Sequence, residues 1–457
     1  MKKKVFYLVL ILAALTEYGY SQLVFEKSEY TARREKLMDQ IPDGIAIFRG
    51  APAPTGNDRF FQFNNKFYFT GMEVADLILA IDGKERTSTL FYTITEDEAK
   101  NDGISVALVN DPGRFNGVEK VLPYDQFTAW LSDRVKGGNA VYTMFKCEEL
   151  QGEISGEKTN SLKASMTNEV WDGRLTREMQ FVKLLGERYP GLEVKDCSSK
   201  VSDLRKIKSN AEIKIMREAG RIGRAAHLAF IKATGVGVKE IDLANLFEST
   251  CKKEGALGLA YTTIIMSAEN IPYGHYSGYN RTLNDGDFVV LDAGPDYCHY
   301  DIDFSTSFPV NGKFSPRQKE EYEIANQIRE VCVKSYRPGI TLKQVGQNVR
   351  QLLLEKGYDP EEPRFRGLVR YGGYNHSVGM AVHDGMGTFN GPDEVLQEGF
   401  VFACDIQNML PELEIGIRLE DTVVITKDGC EVLSAGLPRT VKEMEMVMAE
   451  RKSLIQK

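Results

Sequence analysis

The sequence predicts a two-domain chain: a mixed α/β amino-terminal domain, then a larger α+β domain made of two related halves with pseudo-two-fold symmetry. Three observations lead there. At 457 residues the chain exceeds what one typical core holds. Two distant segments, "LNDGDFVVLD" (Leu283 to Asp292) and "LQEGFVFACD" (Leu396 to Asp405), share a plan. Each has Leu, an amide, an acid and a Gly, then an apolar strand, with Asp six residues after the Gly. Capped helices alternate with strands through the second half, as expected where helices cover a curved sheet.

Taken in order, Lys2, Lys3 and Lys4 precede an apolar run from Val5 to Leu15 and a short polar stretch. Residues 1–21 read as a signal peptide, with Gly19 and Ser21 at the small positions before a cut at Gln22. The run is too short for a bilayer that needs about 20 apolar residues. The expectation is an exported protein, periplasmic or secreted, with no stable membrane insertion after cleavage. Cleavage removes three lysines and Glu17 and takes the net charge from −8 to −10. That acidity argues against nucleic acid and anionic membrane surfaces as partners. The seven cysteines are scattered without a C-x-x-C pair, so buried free thiols are expected.

Residues 22–200 form the predicted amino-terminal domain. "GIAIFRG", "FYFTG", "LILAID", "STLFYTI" and "NAVYTMF" read as short strands bounded by turn residues, and "TREMQFVKLLGERY" as an amphipathic helix. No cluster of reactive side chains stands out there. The second domain, residues 201–457, opens with the capping-box spacing of Ser209 and Glu212 and a helix to about Ala233. "GVGVKEIDLANLFESTCKKEG" reads as a second helix. Ser315 with Gln318, and Thr341 with Gln344, repeat the capping device.

The duplicated strands would bring Asp292 and Asp405 together, with Asp303 close in sequence and Glu420 in "IGIRLEDTVVIT". Four buried carboxylates raise one another's pKa and need countercharge. A pair of divalent cations supplies it. Two of the five histidines, His376 and His383, lie in "YNHSVGMAVHDG", and one of them falls to this cluster. Oxygen ligands with one imidazole suit Mn²⁺, Fe²⁺, Co²⁺ or Zn²⁺. Two such ions bridged by water make a hydrolytic site.

These residues resemble a known family. His275, "LDAG" with Asp292, Asp303 before "FSTSFPVNGKFS", His376 seven residues before His383, and "GIRLED" with Glu420 are similar to the pita-bread metallopeptidases. Methionine aminopeptidase, aminopeptidase P and prolidase share that fold. "RKIKSNAEIKIMREAG" resembles the helix that opens their catalytic domain, and "RREKLM" and "NKFYFTG" resemble the amino-terminal domain of aminopeptidase P and prolidase. The resemblance implies two metal ions, Mn²⁺ foremost, held by Asp292, Asp303, His376, Asp405 and Glu420. It implies base work for Asp405, contacts from His275 and His383 to the substrate carbonyl and oxyanion, and a bracing and substrate-binding role for Arg418. It further implies a peptide substrate, cleavage of the N-terminal bond, Xaa-Pro bonds included, and a homodimer or higher oligomer. Three positions depart from the pattern: Asp405 replaces the usual glutamate, Gly372 the histidine four residues before His376, and Thr306 an arginine. They leave two alternatives, a pita-bread protein that binds peptide or metal with little catalysis, and a metal-free C–N hydrolase like creatinase.

Overall fold

The computed structural model describes residues 23–451, apart from 55, 57, 58, 151, 152, 154, 155 and 385–390. The predicted signal peptide lies outside the described residues. The chain divides into two compact units, with the change near Leu204 and Arg205.

The first unit is built on a six-stranded sheet. Its strands are β1 (Gly44–Arg49), β2 (Ile78–Asp82), β3 (Thr87–Phe91), β4 (Lys120–Leu122), β5 (Ala140–Thr143) and β6 (Val194–Asp196), in the order β4-β3-β2-β1-β5-β6. Ile45, Ile47, Ile78, Phe91 and Val141 form the core with Leu131 and Leu185 from the helices Phe127–Lys136 and Arg177–Arg188. One predicted strand is wrong: "FYFTG" belongs to a short helix, Asn64–Thr70, ended by Gly71 in the left-handed conformation at φ +67°. A short apolar run cannot be told from a buried helix by periodicity. The bonds that hold it in place are tertiary: the buried Lys66 side chain donates to the carbonyls of Phe48 (2.5 Å) and Leu77 (2.7 Å), and Arg33 and Arg34 donate to those of Tyr68 and Phe69, both at 2.9 Å.

The second unit carries two sheets, a small one and a seven-stranded antiparallel one. The small sheet pairs β7 (Gly258–Leu259), β10 (Pro295–Tyr297) and β11 (Tyr300–Asp301). The large one contains β8 (Ile264–Ser267), β9 (Phe288–Asp292), β12 (Ser305–Pro309), β13 (His376–Ser377), β14 (Val401–Leu410) and β15 (Ile415–Ile425), with β16 (Cys430–Val432) added to β15. Its order, β13-β14-β15-β12-β9-β8, reads outward from the centre as β15-β14-β13 on one side and β12-β9-β8 on the other.

Each half also has its own helix pair. Helices Asn210–Ala233 and Glu240–Lys253 pack Ile222, Phe230, Leu243 and Phe247 against Ile265, Val289, Leu291 and Phe308. Helices Pro316–Ser335 and Leu342–Glu355 pack Ile324, Ile328, Val345 and Val349 against Phe402, Cys404, Ile417 and Leu419. This is the predicted pseudo-two-fold pita-bread plan. The three capping boxes read from the sequence all form, at Ser209, Ser315 and Thr341. The halves differ in strand length at the site: β9 stops at Asp292, whereas β14 continues past Asp405 to Leu410. All seven cysteines are free, and no helix among the described residues is long and apolar enough to cross a membrane.

Candidate metal centre

The strand register assembles the centre. Asp292 lies opposite Ser305, Ser305 opposite Glu420, and Glu420 opposite Asp405. Directly opposed residues share a face of the sheet, so this row places three acids and a serine side by side across β9, β12, β15 and β14. His376 enters from β13, opposite Ala403, two residues before Asp405 on β14. Asp303 sits two residues before Ser305, its backbone N–H donating to the Thr422 hydroxyl at 2.9 Å.

All five predicted ligands are buried. Among the described residues, Asp303, His376 and Glu420 present ligand atoms that all lie within 4.8 Å of one another. His376 Nε2 is 3.3 Å from Asp303 Oδ2 and 3.7 Å from Glu420 Oε1, yet neither Nε2 nor Glu420 Oε1 completes a hydrogen bond. Unsatisfied polar atoms at this depth are costly and point to a missing partner.

Asp292 and Asp405 are held differently. The Arg418 guanidinium donates from Nε to Asp405 Oδ1 at 3.1 Å, places Nη2 3.0 Å from Asp405 Oδ2 and 3.2 Å from Glu420 Oε2, and contacts Asp292 Oδ2 through Nη1. Tyr261 puts its hydroxyl 2.6 Å from Asp292 Oδ1 and against Asp303 Oδ1. The Ser305 hydroxyl donates to Glu420 Oε2 at 2.7 Å.

Even with Arg418 present the cluster is short of positive charge. Burial, reinforced by Glu420 and Asp405 against the pull of Arg418, raises Asp292 to about 6. Burial, with Asp303 and Asp405 beside it, raises Glu420 to about 7, again against Arg418. Burial opposes protonation of His376, but Asp303 and Glu420 outweigh it and push its pKa up to about 10. A divalent ion relieves all three strains at once, and oxygen donors with one imidazole suit it, so the residues fit the group.

A cavity of about 330 Å³ opens beside these groups, lined among others by His275, His383, Tyr261, Ile264, Val382 and Arg418. His383 stacks on His376 with ring centroids 3.8 Å apart. Its neighbour Asp384 is clamped by Arg205 and, at 2.8 Å, by the Lys208 ammonium, both from the stretch before Ser209. Burial lowers the pKa of His275, and burial together with the positive neighbours His376 and Arg418 lowers that of His383, so both rings are neutral near pH 7.

The departures have structural counterparts. Thr306 is buried against His227, whose Nδ1 is 3.1 Å from its hydroxyl and whose Nε2 is 2.9 Å from the Ala293 carbonyl. Gly372 ends the helix Arg366–Tyr371 at φ +68°, and a Cβ there would stand 2.4 Å from Val345 Cγ1. A side chain at 372 therefore starts out against Val345. Sequence reasoning misses Tyr261, Ser305 and Gln407. Gln407 is within its reach, since it follows Asp405 by one strand period; Tyr261 carries no local signal.

Comparisons with known proteins agree with this architecture. Residues 30–142 match the aminopeptidase P amino-terminal domain, and residues 214–427 match metallopeptidase family M24. The Xaa-Pro aminopeptidase of Escherichia coli K12 is 28% identical over 459 residues, covering 92% of this chain and 98% of that protein. Human Xaa-Pro aminopeptidase 3 is 30% identical over 467 residues, covering 92% and 86% respectively. A solved structure of aminopeptidase P from E. coli, in its low-pH form, superposes with a TM-score of 0.74 at 26% identity, covering 94% of this chain and all of that one. With the two domain matches in sequence and this relative at 30% identity, the chain belongs to metallopeptidase family M24, in its aminopeptidase P-like branch, and is a metal-dependent hydrolase.

Proposed function

We propose that the mature chain is an exported aminopeptidase that releases the N-terminal residue of short peptides, Xaa-Pro bonds included, with two divalent ions, Mn²⁺ foremost. The carrying observation is the buried trio of Asp303, His376 and Glu420, with unsatisfied atoms on His376 and Glu420, beside a cavity lined by His275 and His383. The relatives named Xaa-Pro aminopeptidase support the bond type. Asp292 and Asp405 complete the donor set.

When bound, the ions supply a water of lowered pKa and polarise the scissile carbonyl. The rest is the work of this chain's own residues. A neutral imidazole offers one N–H and one lone pair. His275 and His383 are therefore suited to donate to the peptide carbonyl and then to the oxyanion that develops from it. Stacking on His376 fixes the plane of the His383 ring. Ile264 and Val382 give the cavity an apolar wall for a substrate side chain. Tyr261, Ser305 and Arg418 hold the carboxylates in orientation, and Arg418 also faces the substrate. The N-terminal stretch from Lys2 to Ser21 supports export, and homo-oligomerisation is part of the same reading.

The test is release of the first residue from an Xaa-Pro-Xaa peptide and its Xaa-Ala-Xaa partner, in EDTA and with added Mn²⁺, for the native protein and Asp405→Glu. Metal-dependent cleavage is expected, with the proline peptide preferred. No cleavage by either protein at any metal concentration would replace the enzyme with a binding protein. Export is checked by finding Gln22 as the first residue of protein recovered outside the cytoplasm, and assembly by sedimentation at micromolar concentration.

A further inference from the structure

In the first unit, Ile45, Ile47 and Arg49 follow one another on a single face of β1, because side chains two apart in a strand point the same way. Ile45 and Ile47 belong to the core, so Arg49 puts a guanidinium at the end of an apolar row. Ile78 of β2 stands directly opposite it and shares the face. A cavity of about 260 Å³ opens at this corner. The helix Phe127–Lys136 borders it with Phe127 and Leu131, and the helix Arg177–Arg188 with one face, Phe181, Leu184, Leu185 and Arg188. Ile78, Leu131 and Leu185 are buried and give it an apolar floor. Asp125, Thr128 and Arg188 are exposed and form a polar rim.

Arg49 is half-buried, and among the described residues its guanidinium has neither a hydrogen-bond acceptor nor an ion pair. The Phe181 ring lies beside it, 5.2 Å from guanidinium carbon to ring centroid, and attracts the cation without neutralising it. A second guanidinium stands behind: Arg177 donates to the carbonyls of Arg49 at 3.2 Å and Gly50 at 2.6 Å. Burial first, then the Arg177 charge, lowers the pKa of Arg49, and Asp76 and Glu178 counter this only through space. A cation in this position favours an anion that can reach it through the cavity.

We propose that the cavity is a second small-molecule site, which takes a carboxylate carried on an aromatic or branched aliphatic body. Arg49 meets the carboxylate through paired N–H groups, Arg188 adds positive charge at the rim, and the body lies on Phe127, Leu131 and Leu185. This is the chemistry of an apolar amino acid, either free or at the C-terminus of a peptide. The site belongs to the first unit and does not rest on the reading of the metal centre.

The experiment is calorimetric titration of the EDTA-treated full chain with phenylpropionate. One ligand per chain is expected. Phenylethylamine, which keeps the ring and reverses the charge, is expected to bind at least about tenfold more weakly, the scale of a hydrogen bond to a charged group. Arg49→Met is expected to weaken phenylpropionate by the same factor, and Arg49→Lys to recover part of it. Leu184→Trp, which fills the cavity from a half-buried position and leaves Arg49 in place, is expected to abolish binding. Circular dichroism checks the fold, and the comparison of the two ligands on wild type stands whether or not a variant folds.

L-phenylalanine and the peptide Gly-Gly-Phe separate the two sources. Tighter binding of the first assigns the site to free amino acids and of the second to peptide C-termini, and Arg49→Met must weaken whichever binds. No binding of phenylpropionate at millimolar concentration would overturn the proposal. So would equal binding of the amine, or unchanged binding by folded Arg49→Met or Leu184→Trp.

Discussion

Arg418 meets all three carboxylates of the row, so replacing it with methionine, which keeps the length and loses the charge, gives a sharp test of the electrostatics. In metal-free protein Arg418→Met leaves Asp292, Asp405 and Glu420, at 2%, 1% and 0% exposure, without their guanidinium. Stripping one partner from a buried ion cluster costs about 3–5 kcal/mol. For a unit of this size each kcal/mol moves the melting midpoint by about 2–4 °C, so the loss is roughly 6–20 °C. Part of it is recovered by protonation. In the variant the pKa values of Asp292 and Glu420 rise further above their unfolded values, so the native state binds more protons and is favoured as pH falls. The deficit against wild type is therefore larger at pH 8 than at pH 5.5. Added Mn²⁺ supplies the missing charge, so its upward shift of the midpoint is larger for the variant than for wild type. Differential scanning calorimetry of EDTA-treated protein, with and without Mn²⁺ at both pH values, measures all of this. A variant melting within about 2 °C of wild type without metal, or equal Mn²⁺ shifts in the two proteins, would refute the reasoning.

Other positions give smaller tests. Gly372→His, which restores the family-like residue, is expected to destabilise by about 2–4 kcal/mol, because it combines a positive φ with a collision against Val345. It is also expected to leave any preference for proline unchanged; unaltered stability in urea titration, or a gain in that preference, would contradict the geometry. His227 is fully buried, and burial lowers its pKa to about 3. The Ala293 carbonyl can only accept, so Nε2 carries the proton and Nδ1 accepts from Thr306. The unfolded chain takes up a proton below about pH 6.5 that the native ring refuses, which costs up to about 1.4 kcal/mol of stability per pH unit from there towards pH 3. Denaturation midpoints at pH 7 and pH 5 are expected to fall less for His227→Gln than for wild type; equal falls would remove His227 as a source of acid lability.

Much of the centre is legible in the amino-acid sequence, because its ligands are tied to local patterns. The echo between the Asp292 and Asp405 segments exposes the duplication, since each half repeats a turn, an apolar strand and an acid within ten residues. The helix starts at Ser209, Ser315 and Thr341 are legible for the same reason: a capping box is complete within four residues. The amino-terminal domain is harder. "FYFTG" has a strand's composition, and the partners of this helical segment lie far along the chain: Lys66 donates to the carbonyls of Phe48 and Leu77, and Arg33 and Arg34 donate to those of Tyr68 and Phe69.

What the sequence determined by itself was the set of chemical groups and the halves that carry them. The tertiary structure alone decided how those groups divide. Register put Asp292, Ser305, Glu420 and Asp405 in one row, and placed Gln407 opposite Arg418. Asp303 and His376 converge with Glu420 of that row, while the Arg418 guanidinium spans Asp292, Asp405 and Glu420. No local pattern encodes that division. Which carboxylate faces which donor depends on the pairing of Ser305 with Glu420, which joins the two halves across more than 100 positions, and it is settled only when buried charges compete for partners inside the folded sheet.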